Sequence, residues 1–128
     1  MSSFESMSAT LSKENWGLHS APFHERNYPC EEWIYSYFKL IDLSKTGTAA
    51  LQQQLYFCMF GQALRLKAQV EGWRANNIWG LLLWQFNEVW PTGGWGSIEY
   101  GTPVQGQVKP QHLGVHHERR MLHAFISF

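Results

Sequence analysis

The sequence lacks both an excess of charge and a long apolar run. Ten Lys and Arg residues balance ten Asp and Glu residues, and the net charge is zero. The basic residues are scattered, so no basic surface for nucleic acid is expected. No run of eighteen apolar residues occurs, which excludes a membrane-spanning helix. We therefore expect neither nucleic acid nor a membrane as a partner.

The first fifteen residues lack a basic region followed by an apolar core, so we do not expect a signal peptide. The sequence therefore carries no address that fixes its compartment. A length of 128 residues suits a single domain or a piece of a larger one.

Cysteine is also scarce, with Cys30 and Cys58 as the two thiols. Two cysteines do not make a disulfide framework, although these two could pair. Free cysteine is among the most buried residue types. The favoured interpretation is therefore two separate, packed thiols.

Aromatic residues are abundant and make up 16% of the chain. Of the seven tryptophans, four fall within residues 76–101. They are Trp79, Trp84, Trp90 and Trp95. Large aromatic side chains build cores, but they also form platforms on which sugars stack, so composition alone does not decide between these roles.

The pattern of apolar residues predicts two helices after an irregular segment over residues 1–30. Residues 31–38 suit a short helix with two carboxylates in its first turn. Residues 48–75 form the strongest helical pattern, because apolar residues recur mostly three or four positions apart. The stripe consists of Leu51, Leu55, Met59, Leu66, Val70 and Trp73.

A continuous apolar run at residues 80–86 follows this helix and stops at Pro91 and the Gly93-Gly94 pair. A helix, a short link and a buried run are typical of an α/β unit with a parallel strand. One strand cannot make a sheet, so partner strands are expected outside the chain. The polar residues Gln85, Asn87 and Glu88 would then lie at the carboxyl end of the strand, the ligand face of α/β folds.

Two interpretations of this stretch remain open on the residues alone. Trp84 and Trp90 beside carboxamides and a carboxylate suit a sugar, because indole rings stack on it and polar groups meet its hydroxyls. Alternatively, the run is a core strand whose polar residues cap neighbouring loops.

The same stretch resembles the last barrel strand of glycoside hydrolase family 2 enzymes of the β-mannosidase type. The resemblance covers about residues 43–106, including the helix before the strand, and Phe86 stands where Leu is usual. The matching positions are Trp84, Gln85, Asn87, Glu88, Trp90, Pro91, Trp95, Ser97, Glu99 and Tyr100.

The resemblance implies an α/β fold, a partial TIM (β/α)8 barrel of which the chain supplies the last helix–strand unit. The helix would span about residues 48–75 and the strand about residues 80–86, between irregular N- and C-terminal segments. Residues 1–107 would be the C-terminal portion of the catalytic barrel, with the remainder of the barrel as a partner. Residues 108–128 depart from the family pattern, as an altered reading frame would explain, and form a divergent tail.

The implied activity is the retaining hydrolysis of terminal β-mannosides, which uses two glutamates about 5 Å apart. In the family these glutamates come from the fourth and seventh strands, so we expect no catalytic residue in this chain. Glu88 matches the eighth-strand pattern and is interpreted as a carboxylate that holds loops. Glu5 lies near the expected end of the strand that carries the nucleophile, but the sequence around it differs from the family's pattern for that strand.

The resemblance also implies the binding residues, for a β-mannoside or related oligosaccharide. Trp84 would stack on the sugar and exclude water. Trp90 and Gln85 rank second, and Asn87 ranks third. Eukaryotic relatives are often lysosomal, so a lysosomal or secreted location would follow only from that kinship.

No cofactor and no metal are expected. The tail histidines lack the glutamate or the cysteine and aspartate partners of zinc sites, so we interpret them as exposed residues. These residues are His112, His116, His117 and His123. A non-enzymatic carbohydrate-binding module and a purely structural fragment remain the alternatives to a glycosidase segment.

Overall fold

A computed structural model describes residues 1–26, 30–39, 41–82, 84, 87–90, 93–94 and 98–100. The regular elements of this part of the chain are all helical. They are α1 (Phe4–Ser8), a 3-10 turn (Lys13–Asn15), α2 (Ala21–Glu25), α3 (Cys30–Tyr37) and α4 (Thr48–Ala75).

The N-terminal segment contains helices where the sequence predicts an irregular loop. Ser3 caps α1, and its hydroxyl accepts a hydrogen bond from the backbone N–H of Ser6 at 3.4 Å. Ser20 precedes α2, and Pro22 lies in its first turn, where a fixed φ angle favours a helix and a missing N–H costs nothing. These helices are too short to show an apolar period, which explains why the prediction is wrong.

Helix α4 spans Thr48–Ala75, and the predicted bounds of the long helix are confirmed. Gly47 precedes it with a φ angle of 96°, a conformation that glycine adopts without a steric penalty. The predicted apolar stripe is covered as far as Val70, but Trp73 is 40% exposed. The last turn of α4 and the residues up to Gly80 lie on the surface.

Helix α3 packs against α4, close to the predicted position of the short helix. Ile34 of α3 is fully buried in this contact region. Cys30 and Cys58 form a disulfide between the two helices, with their Cα atoms 4.9 Å apart. The favoured interpretation of two separate thiols is therefore wrong, because helix packing brings the two cysteines within disulfide distance.

The core lies between α4, α3 and the N-terminal segment. Its members are Met1, Met7, Leu18, Phe23, Cys30, Ile34, Leu43, Leu51, Leu55 and Cys58. The polar side chain of Gln54 is buried beside this core and is 1% exposed. Its Oε1 accepts from the backbone N–H of Leu18 at 3.1 Å, and its Nε2 donates to the carbonyls of Leu43 and Lys45 at 3.3 and 2.9 Å. Gln54 thereby joins α4 to two loops.

The predicted strand at 80–86 and the partial TIM barrel are wrong for the described part of the chain. Residues 80–82 have no regular structure, and Leu82 is fully exposed. The described residues contain no strand, and their one β-type contact is an isolated parallel bridge between Asn87 and Ile98. An apolar run becomes a buried strand only when neighbouring strands take up its backbone N–H and C=O groups. Leu83, Gln85 and Phe86 lie outside the described residues.

Among the described residues, no helix combines the length and the apolar character needed to cross a membrane.

Candidate functional site

The candidate site is built where the N-terminal segment meets residues 87–100. The main contact is the carboxylate of Glu99, which accepts three hydrogen bonds from the start of α1. The backbone N–H of Ser3 donates to Oε1 at 2.5 Å, and the hydroxyls of Ser3 and Ser6 donate to Oε2 at 2.8 and 2.7 Å. The carboxylate thus satisfies donors at the N-terminus of a helix, where negative charge is favourable.

The carboxylate of Glu88 is also turned inward, and the residue is 4% exposed. It lies so close to the backbone of Gly94 that a Cβ atom there would be 2.2 Å from Oε2. A side chain at position 94 would therefore displace the carboxylate. The interpretation of Glu88 as a carboxylate that holds loops stays a prediction.

Gly93 and Gly94 contact the first residues of the chain. A Cβ atom at Gly93 would lie 2.8 Å from the sulfur of Met7 and 3.2 Å from that of Met1. The backbone amino group of Met1 donates to the carbonyl of Gly94 at 3.0 Å and to Oε1 of Gln62 at 2.8 Å. The glycine pair, interpreted from the sequence as a strand stop, allows the loop to pack closely on the N-terminal segment.

A backbone contact connects the Glu99 region to the predicted sugar-binding residues. The N–H of Glu88 donates to the carbonyl of Ile98 at 2.9 Å, beside the parallel bridge between Asn87 and Ile98. Ile98 is the residue before Glu99. The segment of residues 87–90 is therefore connected to α1 through Ile98 and Glu99.

The predicted tryptophans lie on the outside of this arrangement. Trp84 is 80% exposed and Trp90 is 61% exposed. Asn87 is exposed as well, and its Nδ2 donates to the carbonyl of Glu88 at 3.2 Å. Gln85 lies outside the described residues. Three of the four predicted binding residues are thus on the surface, and their role in sugar binding stays a prediction.

The surface around Asn87 and Trp90 combines aromatic and polar groups. Exposed indole rings offer flat apolar faces, and a carboxamide offers both a donor and an acceptor. Glu88 is buried and the Glu99 carboxylate is engaged by three donors, while Glu5 lies exposed on α1.

Within the described ranges, no group of three or more His, Cys, Asp or Glu side chains is arranged to hold a metal ion. The four histidines of the tail, at positions 112, 116, 117 and 123, lie outside those ranges.

Sequence reasoning missed the role of Glu99 and its serine partners. Ser3 and Ser6 stand at the start of α1, and a serine before a helix is a capping signal. Glu99 is one of the positions that match the glycosidase pattern. Nothing in the sequence around it shows that its partners lie more than ninety residues away in the chain.

The chain is similar to a class of fungal glycosidases over most of its length. Beta-mannosidase B of Emericella nidulans is 30% identical over 121 residues, which cover 83% of this chain and 14% of the relative. Beta-mannosidase B of Aspergillus niger is 29% identical with the same coverage. Beta-mannosidase B of Neosartorya fischeri is 31% identical over 87 residues, or 64% of this chain and 10% of the relative.

These similarities indicate a β-mannosidase-like relation. The chain spans about a seventh of the length of these relatives. No protein-family model and no solved structure matches it.

Proposed function

We propose that this chain is the sugar-binding part of a β-mannosidase-like glycosidase of glycoside hydrolase family 2. The observation that carries the proposal is the similarity to fungal enzymes named β-mannosidase B over 83% of the chain. The whole enzyme would hydrolyse terminal β-mannosides with retention. The chain would supply a sugar-binding surface, here called the binding wall, which consists of Trp84, Gln85, Asn87 and Trp90. Other parts of the polypeptide would supply the two glutamates.

The exposed tryptophans define how this wall acts. Trp84 stacks on the apolar face of the sugar ring, where replacing water by an aromatic surface stabilises the complex. Trp90 gives a second apolar contact. Asn87 and Gln85 supply donors and acceptors for the hydroxyls, which fix the orientation of the sugar.

The carboxylates of the described residues support a division of labour between binding and catalysis. A retaining glycosidase requires one carboxylate that attacks the anomeric carbon and one that protonates the leaving oxygen. Glu88 is buried beside the Gly94 backbone, and Glu99 is held by three donors at α1. Because Glu88 is shielded from solvent and Glu99 is already bonded to α1, the purified chain is expected to bind without turnover.

The test is a panel of methyl glycosides added to the purified chain, with binding read by saturation-transfer NMR. The panel contains the β-mannoside, the α-mannoside and the β-glucoside, and a nitrophenyl β-mannoside reports hydrolysis. We expect preferential binding of the β-mannoside and no release of nitrophenol.

Two results would contradict the proposal. Absence of binding to every sugar would favour a purely structural role. Release of nitrophenol at a rate that follows the concentration of the chain would show that the chain itself carries the reacting carboxylates.

A further inference from the structure

The Glu99 carboxylate accepts three hydrogen bonds from other parts of the protein. It accepts from one backbone N–H and two hydroxyls, all within the first six residues of the chain. Ser3 is 5% exposed, and Ser6 and Glu99 are half-buried, so these bonds are partly shielded from water. Hydrogen bonds to an ionised acceptor are about twice as strong as neutral ones. Glu99 is therefore a firm attachment point.

The attachment extends from Glu99 to the segment that carries candidate sugar-binding residues. The adjacent Ile98 accepts the N–H of Glu88 at 2.9 Å and bridges Asn87. Without neighbouring strands in the described chain, residues 87–90 lack the ladder of hydrogen bonds that fixes a strand in a sheet. Among the described residues, the bonds at Ile98 and Glu99 join this segment to α1.

We propose that Glu99 is a positioning residue, which fixes residues 87–90 to α1 and so orients Asn87 and Trp90 toward the sugar. It does not touch the ligand. The identity of the sugar rests on the proposed function. The attachment of residues 87–90 to α1 through Glu99 does not depend on that function, because it is a property of the fold. Glu88 adds a second attachment in the same segment, because its buried carboxylate packs on Gly94.

The first experiment measures the attachment without any sugar. Amide hydrogen exchange at Glu88 reports the bond to Ile98, because exchange requires that bond to open. In Glu99→Ala, we expect the Glu88 amide to exchange about tenfold faster, equivalent to about 1.4 kcal/mol of lost protection. Glu99→Gln keeps one carbonyl oxygen as an acceptor and is expected to fall between Glu99→Ala and the wild type.

The matched control is Glu71→Ala, which removes an exposed carboxylate paired with Lys67 on α4. It should leave exchange at Glu88 unchanged. If Glu99→Ala fails to fold by far-UV circular dichroism, Ser6→Ala replaces it, because that change removes one donor of the three. A smaller acceleration at Glu88 is then expected.

The second experiment measures β-mannoside affinity in the same variants. Glu99→Ala should weaken binding about three- to tenfold while α4 stays folded, and Glu71→Ala should bind as the wild type does. Unchanged Glu88 exchange in both Glu99→Ala and Ser6→Ala overturns the inference, whatever the sugar result. A wild-type chain that binds no sugar, but whose Glu88 exchange accelerates in Glu99→Ala, overturns the proposed function and leaves the attachment in place.

Discussion

Gly61 of α4 lies directly against Trp33 of α3. A Cβ atom placed on Gly61 would be 2.8 Å from the Cβ atom of Trp33, closer than two such carbons can approach. The backbone of α4 is therefore within packing distance of α3, one turn from the Cys30–Cys58 disulfide. At Gly72, on the same helix, the described residues outside the adjoining helix backbone leave the corresponding position open to 4 Å.

The two glycines of α4 should respond to alanine with opposite signs. Gly61→Ala should destabilise the fold by about 1–3 kcal/mol, because the new methyl group forces α3 and α4 apart. Gly72→Ala should stabilise it by up to about 1 kcal/mol through helix propensity alone. Urea denaturation of both variants checks this, and a stabilising Gly61→Ala would show that the α3–α4 contact is looser than described.

Gln54 should be the most sensitive polar residue of the core. Gln54→Met keeps the length of the side chain but leaves the N–H of Leu18 and the carbonyls of Leu43 and Lys45 without this partner. A loss of about 2–3 kcal/mol is expected, since each buried polar group left unsatisfied is costly. The control is Gln53→Met at the neighbouring exposed position, which should change the unfolding free energy by less than about 0.5 kcal/mol. Equal effects at the two positions would contradict the described loop contacts.

The Cys30–Cys58 disulfide should stabilise the chain chiefly by restricting its unfolded state. The double variant Cys30→Ser with Cys58→Ser should lose about 2–4 kcal/mol of unfolding free energy, measured in urea. A reductant should lower the stability of the wild type but not that of the variant. Titration of two free thiols in the urea-unfolded, unreduced wild type would show instead that the cysteines are not paired.

Asp42 should make stability depend on pH in the acid range. Its Oδ1 accepts from the Ser44 hydroxyl at 2.6 Å and the Ser44 backbone N–H at 3.0 Å, and these bonds lower the pKa of the carboxyl. The pKa of this carboxyl is lower in the folded state than in the unfolded state. The ionised carboxylate therefore stabilises the fold at pH values above its unfolded pKa of about 3.9. That stabilisation is lost as the pH falls through the folded pKa. The difference in urea midpoint between the wild type and Asp42→Asn should shrink over that window. A difference that grows on acidification would have the wrong sign.

The two longest helices, α3 and α4, are the part of the fold that the sequence predicts well. The bounds of α4 follow from a long apolar period, which is a local signal. The disulfide is different, because the pairing of Cys30 with Cys58 depends on how α3 lies on α4. No spacing of two cysteines along a chain contains that information.

The error over residues 80–86 has a related cause. A continuous apolar run is consistent with a buried strand, but a strand is stabilised by neighbouring strands. Those neighbours are absent from the described residues, and Leu82 and Trp84 are exposed. The hydrogen bonds of Glu99 to Ser3 and Ser6 could likewise not be predicted from the sequence, because these residues lie at opposite ends of the described chain.

The most direct test of the account is the affinity of the purified chain for methyl β-mannoside, measured by isothermal titration for the wild type, Trp84→Ala and Trp79→Ala. Trp79 is a fully exposed tryptophan outside the proposed binding wall, which makes it the matched control. We predict measurable binding by the wild type and by Trp79→Ala, and about tenfold weaker binding by Trp84→Ala, equivalent to about 1.4 kcal/mol. Equal affinity in all three proteins, or no binding by the wild type, would contradict the account.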